Sequence, residues 1–172
     1  MLKQLIHGLR IYTESVKVQI TSAQDYTYPD VLVAPDPRDL ESTYIKKYPS
    51  VIFEVISKTT HIDDAADKFI RYKNIDSLQN YILVDSENIF IEVRAKQDNG
   101  EWLSEIYLSA NARFPIPALG VELEISGVYE GIFLVPSQLV PSPKSVDYTP
   151  SGAASTYVRH THGTLYRPGT WN

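Results

Sequence analysis

Glu54 stands in the middle of Val51-Ile-Phe-Glu-Val-Ile56, a run whose other members are apolar and mostly β-branched. A strand of that composition buries its side chains, and a lone carboxylate among them is costly unless it is paired, protonated or bound to a metal. If one face of the strand were solvated, Glu54 would simply point outward. Strand alternation speaks against this, because Ile52 and Ile56 share its face. Asp30 opens a second apolar run, Asp30-Val-Leu-Val-Ala34, directly after Pro29, which has no N–H to give to a sheet. Taken singly, it reads as a turn aspartate at a strand start. Lys68 follows Asp64 by four residues and precedes Tyr72 by four, so on a helix the three line one face. Taken singly, Asp64 and Lys68 are an ordinary surface pair. Two neighbouring strands that each offer a carboxylate change the case. A hard cation such as Mg²⁺ takes one or two carboxylates together with waters and phosphate oxygens.

The elements that would position these residues follow from period and punctuation. Ser15 to Ile20 alternates, with Val16, Val18 and Ile20 against Lys17 and Gln19, as a half-buried strand does. Asp30 to Ala34 predicts a short central strand broken by Pro35, Pro37 and Asp39, and Ser50 to Ile56 predicts a stronger one. His61 to Asn74 predicts a helix, capped by Thr60 or Asp63, with Ala65, Phe69 and Tyr72 at helical spacing and Phe69 turned to the core. Tyr81 to Asp85 and Ile89 to Arg94 predict two more strands. Asp98-Asn-Gly100 is a turn, and Trp102 to Leu108 returns as the second arm of a hairpin. Val121 to Ile125 adds an edge strand. The order implies an α/β (α+β) fold in which a mixed sheet carries at least one packed helix.

Charge divides the chain. Residues 1–135 hold 13 Lys and Arg against 20 Asp and Glu, whereas residues 136–172 hold three basic residues and only Asp147. The second stretch is rich in Pro, Ser, Thr and Gly without an apolar period, so the expected organisation is a domain over 1–135 and an extended or disordered tail over 136–172. The net charge of −5 argues against a broad, non-specific nucleic-acid binder but not against a local carboxylate cluster. No cysteine is present, which excludes disulfides, thiolate metal sites and a catalytic thiol. No apolar run approaches the ~18–20 residues that span a bilayer. The opening MLKQLIHGLRIYTES has a short apolar patch and no small-residue cleavage site, so a cytoplasmic protein without membrane association is expected.

Several of these segments, in order and spacing, resemble one family. They are Tyr28-Pro-Asp30, Phe53-Glu-Val-Ile-Ser57 with Thr59-Thr60, Asp64-Ala-Ala-Asp-Lys-Phe-Ile-Arg-Tyr72, and Tyr81-Ile-Leu-Val-Asp85. The likeness continues through Ile89–Arg94 to Leu119-Gly-Val-Glu-Leu-Glu124 and Val128-Tyr-Glu-Gly131, covering about residues 8–133. This pattern is similar to the Uma-two-type family of restriction-endonuclease-like proteins, placed in the PD-(D/E)XK nuclease superfamily. The resemblance implies a restriction-endonuclease-like mixed β-sheet flanked by helices. It matches Asp30 to the Pro-Asp element and Glu54 to the second acid. The superfamily lysine, two residues after that acid, is here Ile56, and Lys68 on the following helix matches the displaced lysine of the family; Lys58 is nearer in sequence but in a loop. Ser57, Asp64 and Tyr72 match other recurrent positions, in supporting roles. Family members have a longer N-terminal region whose helix adds an acid. Here Leu2–Leu9 corresponds to the end of that helix, and Glu14 is the acid left nearby.

The resemblance therefore implies an endonuclease that hydrolyses phosphodiester bonds of nucleic acid, DNA before RNA. Asp30, Glu54 and the main-chain carbonyl of Val55 would hold Mg²⁺ or Mn²⁺, and Lys68 would act at the reacting phosphate. The alternative is a catalytically inactive nuclease-fold protein that binds nucleic acid or a protein partner. A third reading makes Asp30, Glu54 and Lys68 separate surface residues. Apolar strands left exposed imply self-association, with a symmetric homodimer as the expected form. Tyr44, Tyr48 and Tyr72, among 12 tyrosines, are candidates for stacking on bases, although most of the tyrosines read better as core or interface residues. His160-Thr-His162 is a two-ligand metal motif without a third ligand.

Overall fold

The computed structural model describes residues 9–13, 15–21, 24–57, 62–132, 157–159 and 165–166. Short runs give short strands: β1 (Ile11–Thr13), β2 (Lys17–Gln19), β3 (Tyr26–Thr27), β4 (Val31–Val33), β5 (Ile45–Lys46) and β6 (Val51–Ile56). Helix α1 (Ile62–Tyr72) precedes β7 (Asn80–Asp85), β8 (Ile91–Lys96), β9 (Trp102–Tyr107), β10 (Arg113–Ile116) and β11 (Val121–Glu124). A single-turn helix α2 (Ile125–Val128) follows, and β12 (Tyr157–Arg159) and β13 (Leu165–Tyr166) come last.

The main sheet is mixed, in the order β1-β4-β6-β7-β8-β9-β12-β13. Strands β6 and β7 run parallel, with Glu54 beside Leu83. Parallel neighbours need a crossover, and α1 is that crossover. This is why the helix lies over the strand that carries Glu54. On the other side of β6, β4 runs antiparallel, with Val31 opposite Phe53. Strands β8 and β9 form the expected hairpin, turning at Gly100 with φ 82°.

Both faces of the sheet are covered. Ile52, Tyr81 and Leu83 point to the helix side, where Ala65, Tyr72, Ile75 and Leu78 pack with Val18 from β2. Val51, Phe53, Ile82, Val84 and Val93 point to the opposite side, against Phe114, Ile116, Leu123, Ile125 and Tyr129. Burying each such side chain contributes about 1.5–3 kcal/mol, so the sheet is stabilised from two independent layers. The second layer is a hairpin of β10 and β11 through a tight turn that ends on Gly120 at φ 63°. Val121–Glu124 is thus a strand of a separate two-stranded sheet rather than an edge of the main one, and Ile125 already begins α2. A third small sheet, β3-β2-β5, lies on the helix side.

Two short strands from the stretch expected as a tail, β12 and β13, continue the main sheet beyond β9. The expected helix caps Thr60 and Asp63, the loop residue Lys58, the opening segment Leu2–Gly8, Glu14 and the His160-Thr-His162 pair lie outside the described residues or side chains.

Candidate metal centre

Glu54 points to the helix side, on the same face as Ile52, and is only 2% exposed. It is therefore no surface residue, as separate surface positions would require. Its two carboxylate oxygens have different partners. Lys68 Nζ donates to Oε2 at 2.6 Å, and the Tyr72 hydroxyl donates to Oε1 at 2.7 Å. Both come from α1 because residues four apart share a helix face. Asp64, the third residue of that face, is exposed in the first turn and is not the partner of Lys68. Burial pushes the Glu54 pKa up, opposed by the hydrogen bonds from Lys68 and Tyr72 and by the Lys68 charge; the Asp30 carboxylate adds to the upward push. Burial also raises the Tyr72 phenol, with the Glu54 charge in support.

Asp30 sits just outside β4. The register that sets Val31 opposite Phe53 carries Asp30 to the position opposite Glu54. Its Oδ2 accepts from the Val55 N–H at 2.7 Å. The aspartate thus continues, with its side chain, the pairing that β4 can no longer supply with its backbone. In an extended strand the N–H and C=O of one residue point to the same side, and successive residues alternate. The Ile56 carbonyl accepts from Ser86 on the β7 side, so the Val55 carbonyl turns the other way, toward Asp30.

Asp30, Glu54, Lys68, Tyr72 and the Val55 main chain are therefore brought to one place, at the edge where β4 begins. Ser57 follows at the end of β6, partly buried. The donor set is all oxygen: two carboxylates and one main-chain carbonyl, with an ammonium beside them. Each ionised carboxylate oxygen still has a lone pair beyond the bond it accepts here. Such a set fits a hard divalent cation and not a soft one. Among the described residues, no group of three or more His, Asp or Glu side chains converges.

Thr27 was not among the expected site residues. Its hydroxyl lies 3.3 Å from the Tyr72 hydroxyl, buried, at the end of β3. A two-residue strand has no period to reveal it. Tyr72 itself is fully buried, as the core reading of most of these tyrosines has it, and so is not available to stack on a base. Tyr48 carries the Arg38 guanidinium 3.7 Å from its ring centre, whereas Tyr44 is exposed. Phe69 faces the core side as expected, meeting Tyr81 and Trp102 at 5.2 Å each and the Arg94 guanidinium at 4.3 Å.

A mixed sheet crossed by one helix, with a buried acid of the central strand facing that helix, defines a restriction-endonuclease-like α+β domain. The chain belongs to the Uma2 family, described as "Putative restriction endonuclease", which matches residues 2–126. It is 37% identical over 122 residues to the uncharacterized protein slr1290 of Synechocystis sp., an alignment covering 71% of this chain and 64% of that one. It is 31% identical over 104 residues to the uncharacterized protein sll1609 of the same organism, covering 59% of each. The chain thus spans less than two thirds of the length of these curated relatives. Its fold is that of a crystal structure of "a putative nuclease belonging to DUF820" from Anabaena variabilis. The TM-score there is 0.58 and the identity 17%, over 73% of this chain and 70% of the other.

Proposed function

We propose that this chain is a metal-dependent nuclease that hydrolyses phosphodiester bonds, with DNA as the substrate before RNA. The observation that carries the reading is Glu54: a carboxylate inside an apolar strand, held by Lys68 and Tyr72, with Asp30 aligned across the neighbouring strand. Evolution of a core alone would place an aliphatic side chain there, since a buried ion pair is weak support for stability.

Asp30, Glu54 and the Val55 carbonyl would hold Mg²⁺ or Mn²⁺. Bound there, the ion supplies acidity to a coordinated water and offsets the charge of the scissile phosphate. Lys68 spends one of its three Nζ protons on Glu54 and keeps two for that water or for a phosphate oxygen. Its stem is long and its side chain 35% exposed, so it is open to solvent along part of its length while the ammonium stays on the acid. Asp30 is exposed and gives one carboxylate oxygen to the Val55 N–H, which leaves the other for an ion. Glu54 is 2% exposed and lies on the sheet face whose core holds Ile52, Tyr72 and Tyr81.

Asp30→Asn and Glu54→Gln should each lower Mg²⁺-dependent cleavage of plasmid DNA by about 10³-fold, since loss of a metal ligand removes several kcal/mol of transition-state stabilisation. The circular-dichroism spectrum should be unchanged. Full activity in either variant removes the site. A second reading, a nuclease-fold protein that binds nucleic acid or a protein partner without cutting, draws on the acidic net charge of −5, which suits a protein partner as well as a nucleic acid. It predicts no heat on titration with Mn²⁺ and unaltered DNA affinity in Asp30→Asn.

A further inference from the structure

Glu54 has two partners of very different character. Lys68 is a flexible, half-exposed cation whose ammonium has many rotamers available. Tyr72 is fully buried, a rigid ring with its centre 5.8 Å from that of Tyr81. Its hydroxyl is thus the partner that fixes how the Glu54 carboxylate is rotated. A phenol has one proton, and an ionised carboxylate only accepts. The Tyr72 proton therefore lies on the bond to Oε1, and Tyr72 must accept from Thr27, 3.3 Å away.

Thr27 is itself held from another part of the fold. It is paired with Val18 across β3 and β2, in the small sheet that packs on the helix side. The hydroxyl is buried there, and its bond to Tyr72 satisfies it. A threonine, a tyrosine and a glutamate from three separate elements so form one directed chain, ending on an oxygen of the acidic site.

We propose that Thr27 and Tyr72 are positioning residues for the metal centre, the Thr27 hydroxyl orienting that of Tyr72 and Tyr72 locking the Glu54 carboxylate. The inference rests on the metal-site reading above. It assigns to the small sheet a share in the site, through the Thr27 hydroxyl. Groups that orient a ligand in this way are worth about 10–100-fold in metal affinity.

The test is calorimetric titration of Mn²⁺ into the metal-free full chain and its variants, each checked for native helical and sheet signal. Tyr72→Phe should weaken binding by about 10–100-fold. Thr27→Val should weaken it by about two- to tenfold, the worth of one neutral hydrogen bond, and Thr27→Ser should restore it. Because Thr27 acts only through Tyr72, Thr27→Val should have no further effect in the Tyr72→Phe background. Native affinity in Tyr72→Phe overturns the proposal, as does an equal loss from Thr27→Val in both backgrounds. Absence of binding by the native chain overturns the metal-site reading itself, an outcome distinct from binding that the variants leave unchanged.

Discussion

Glu54 and Lys46 are equally buried, each 2% exposed, and are satisfied in different ways. Lys46 Nζ donates to the carbonyls of Asp39 at 2.7 Å and Ser42 at 2.5 Å and lies 4.4 Å from the centre of the Tyr12 ring. No acid is needed, and its role is to tie a loop to β5. Glu54 instead is met by two side chains, Lys68 and Tyr72, both from α1. Its raised pKa has a consequence for stability. The folded protein holds the Glu54 proton more tightly than the unfolded chain does, so the stabilising contribution is full below the ordinary value of 4.5 and is lost as pH rises through the higher folded value. In metal-free protein, urea unfolding between about pH 4 and pH 8 should show the native chain losing stability relative to Glu54→Gln as pH rises. A stability difference that does not change with pH contradicts burial as the dominant influence on this acid.

Among the elements, the β6–α1–β7 crossover builds the site, and the segment from Asp36 to Tyr48 sets the small sheet beside it. That segment is tied by one carboxylate. Buried Asp39 accepts from the Lys47 N–H at 2.7 Å and the Tyr48 N–H at 3.0 Å, ahead of β6. Asp36 caps the short turn at Pro37 and pairs with Arg38, which holds its carboxyl down to about 2. The Asp36 pair is exposed and screened, so it contributes little. Asp39→Ala leaves two N–H groups without their acceptor and should cost about 2–4 kcal/mol in urea unfolding. Asp39→Asn keeps one acceptor oxygen and should cost about half as much. A loss below ~0.5 kcal/mol in Asp39→Ala would mean that water replaces the carboxylate and that the loop is not held from within. The exposed pairs of Arg113 with Glu122 and Glu124, at 3.5 and 3.0 Å, need no such accounting.

On the scale of the molecule, the sheet separates two cores that do different work. The helix side holds the acidic site, and the opposite side holds an apolar layer of β10, β11 and α2. Phe114, fully buried and 6.0 Å from Tyr107, is a central contact of that second layer. Phe114→Leu should lower stability by about 1–2 kcal/mol and leave the Mn²⁺ affinity of the folded protein unchanged. A parallel loss of metal affinity would show that the second layer shapes the site through the sheet. No helix among the described residues is long and apolar enough to cross a membrane.

Local chemistry along the chain was enough to mark β6, α1 and the β8–β9 hairpin, because each has a period long enough to read. It was also enough to single out Glu54, since a charge flanked by Ile52 and Ile56 contradicts its surroundings whatever the fold. Asp30 and Lys68 were ambiguous as single residues, and the ordered resemblance joined them to Glu54. What only the tertiary structure decided is the set of partners. Asp30 meets the Val55 N–H because β4 and β6 pair antiparallel in one register, and Lys68 turns from Asp64 to Glu54 because a parallel crossover lays α1 over β6. Thr27, Lys46 and Phe114 lie on strands of two to four residues, or on one interrupted by Pro115, too short for periodicity to declare a face. Hydrogen bonds between side chains 45 residues apart, such as that of Thr27 and Tyr72, depend on long-range packing. A sequence pattern reports a residue's neighbours along the chain, and this site is made from neighbours across it.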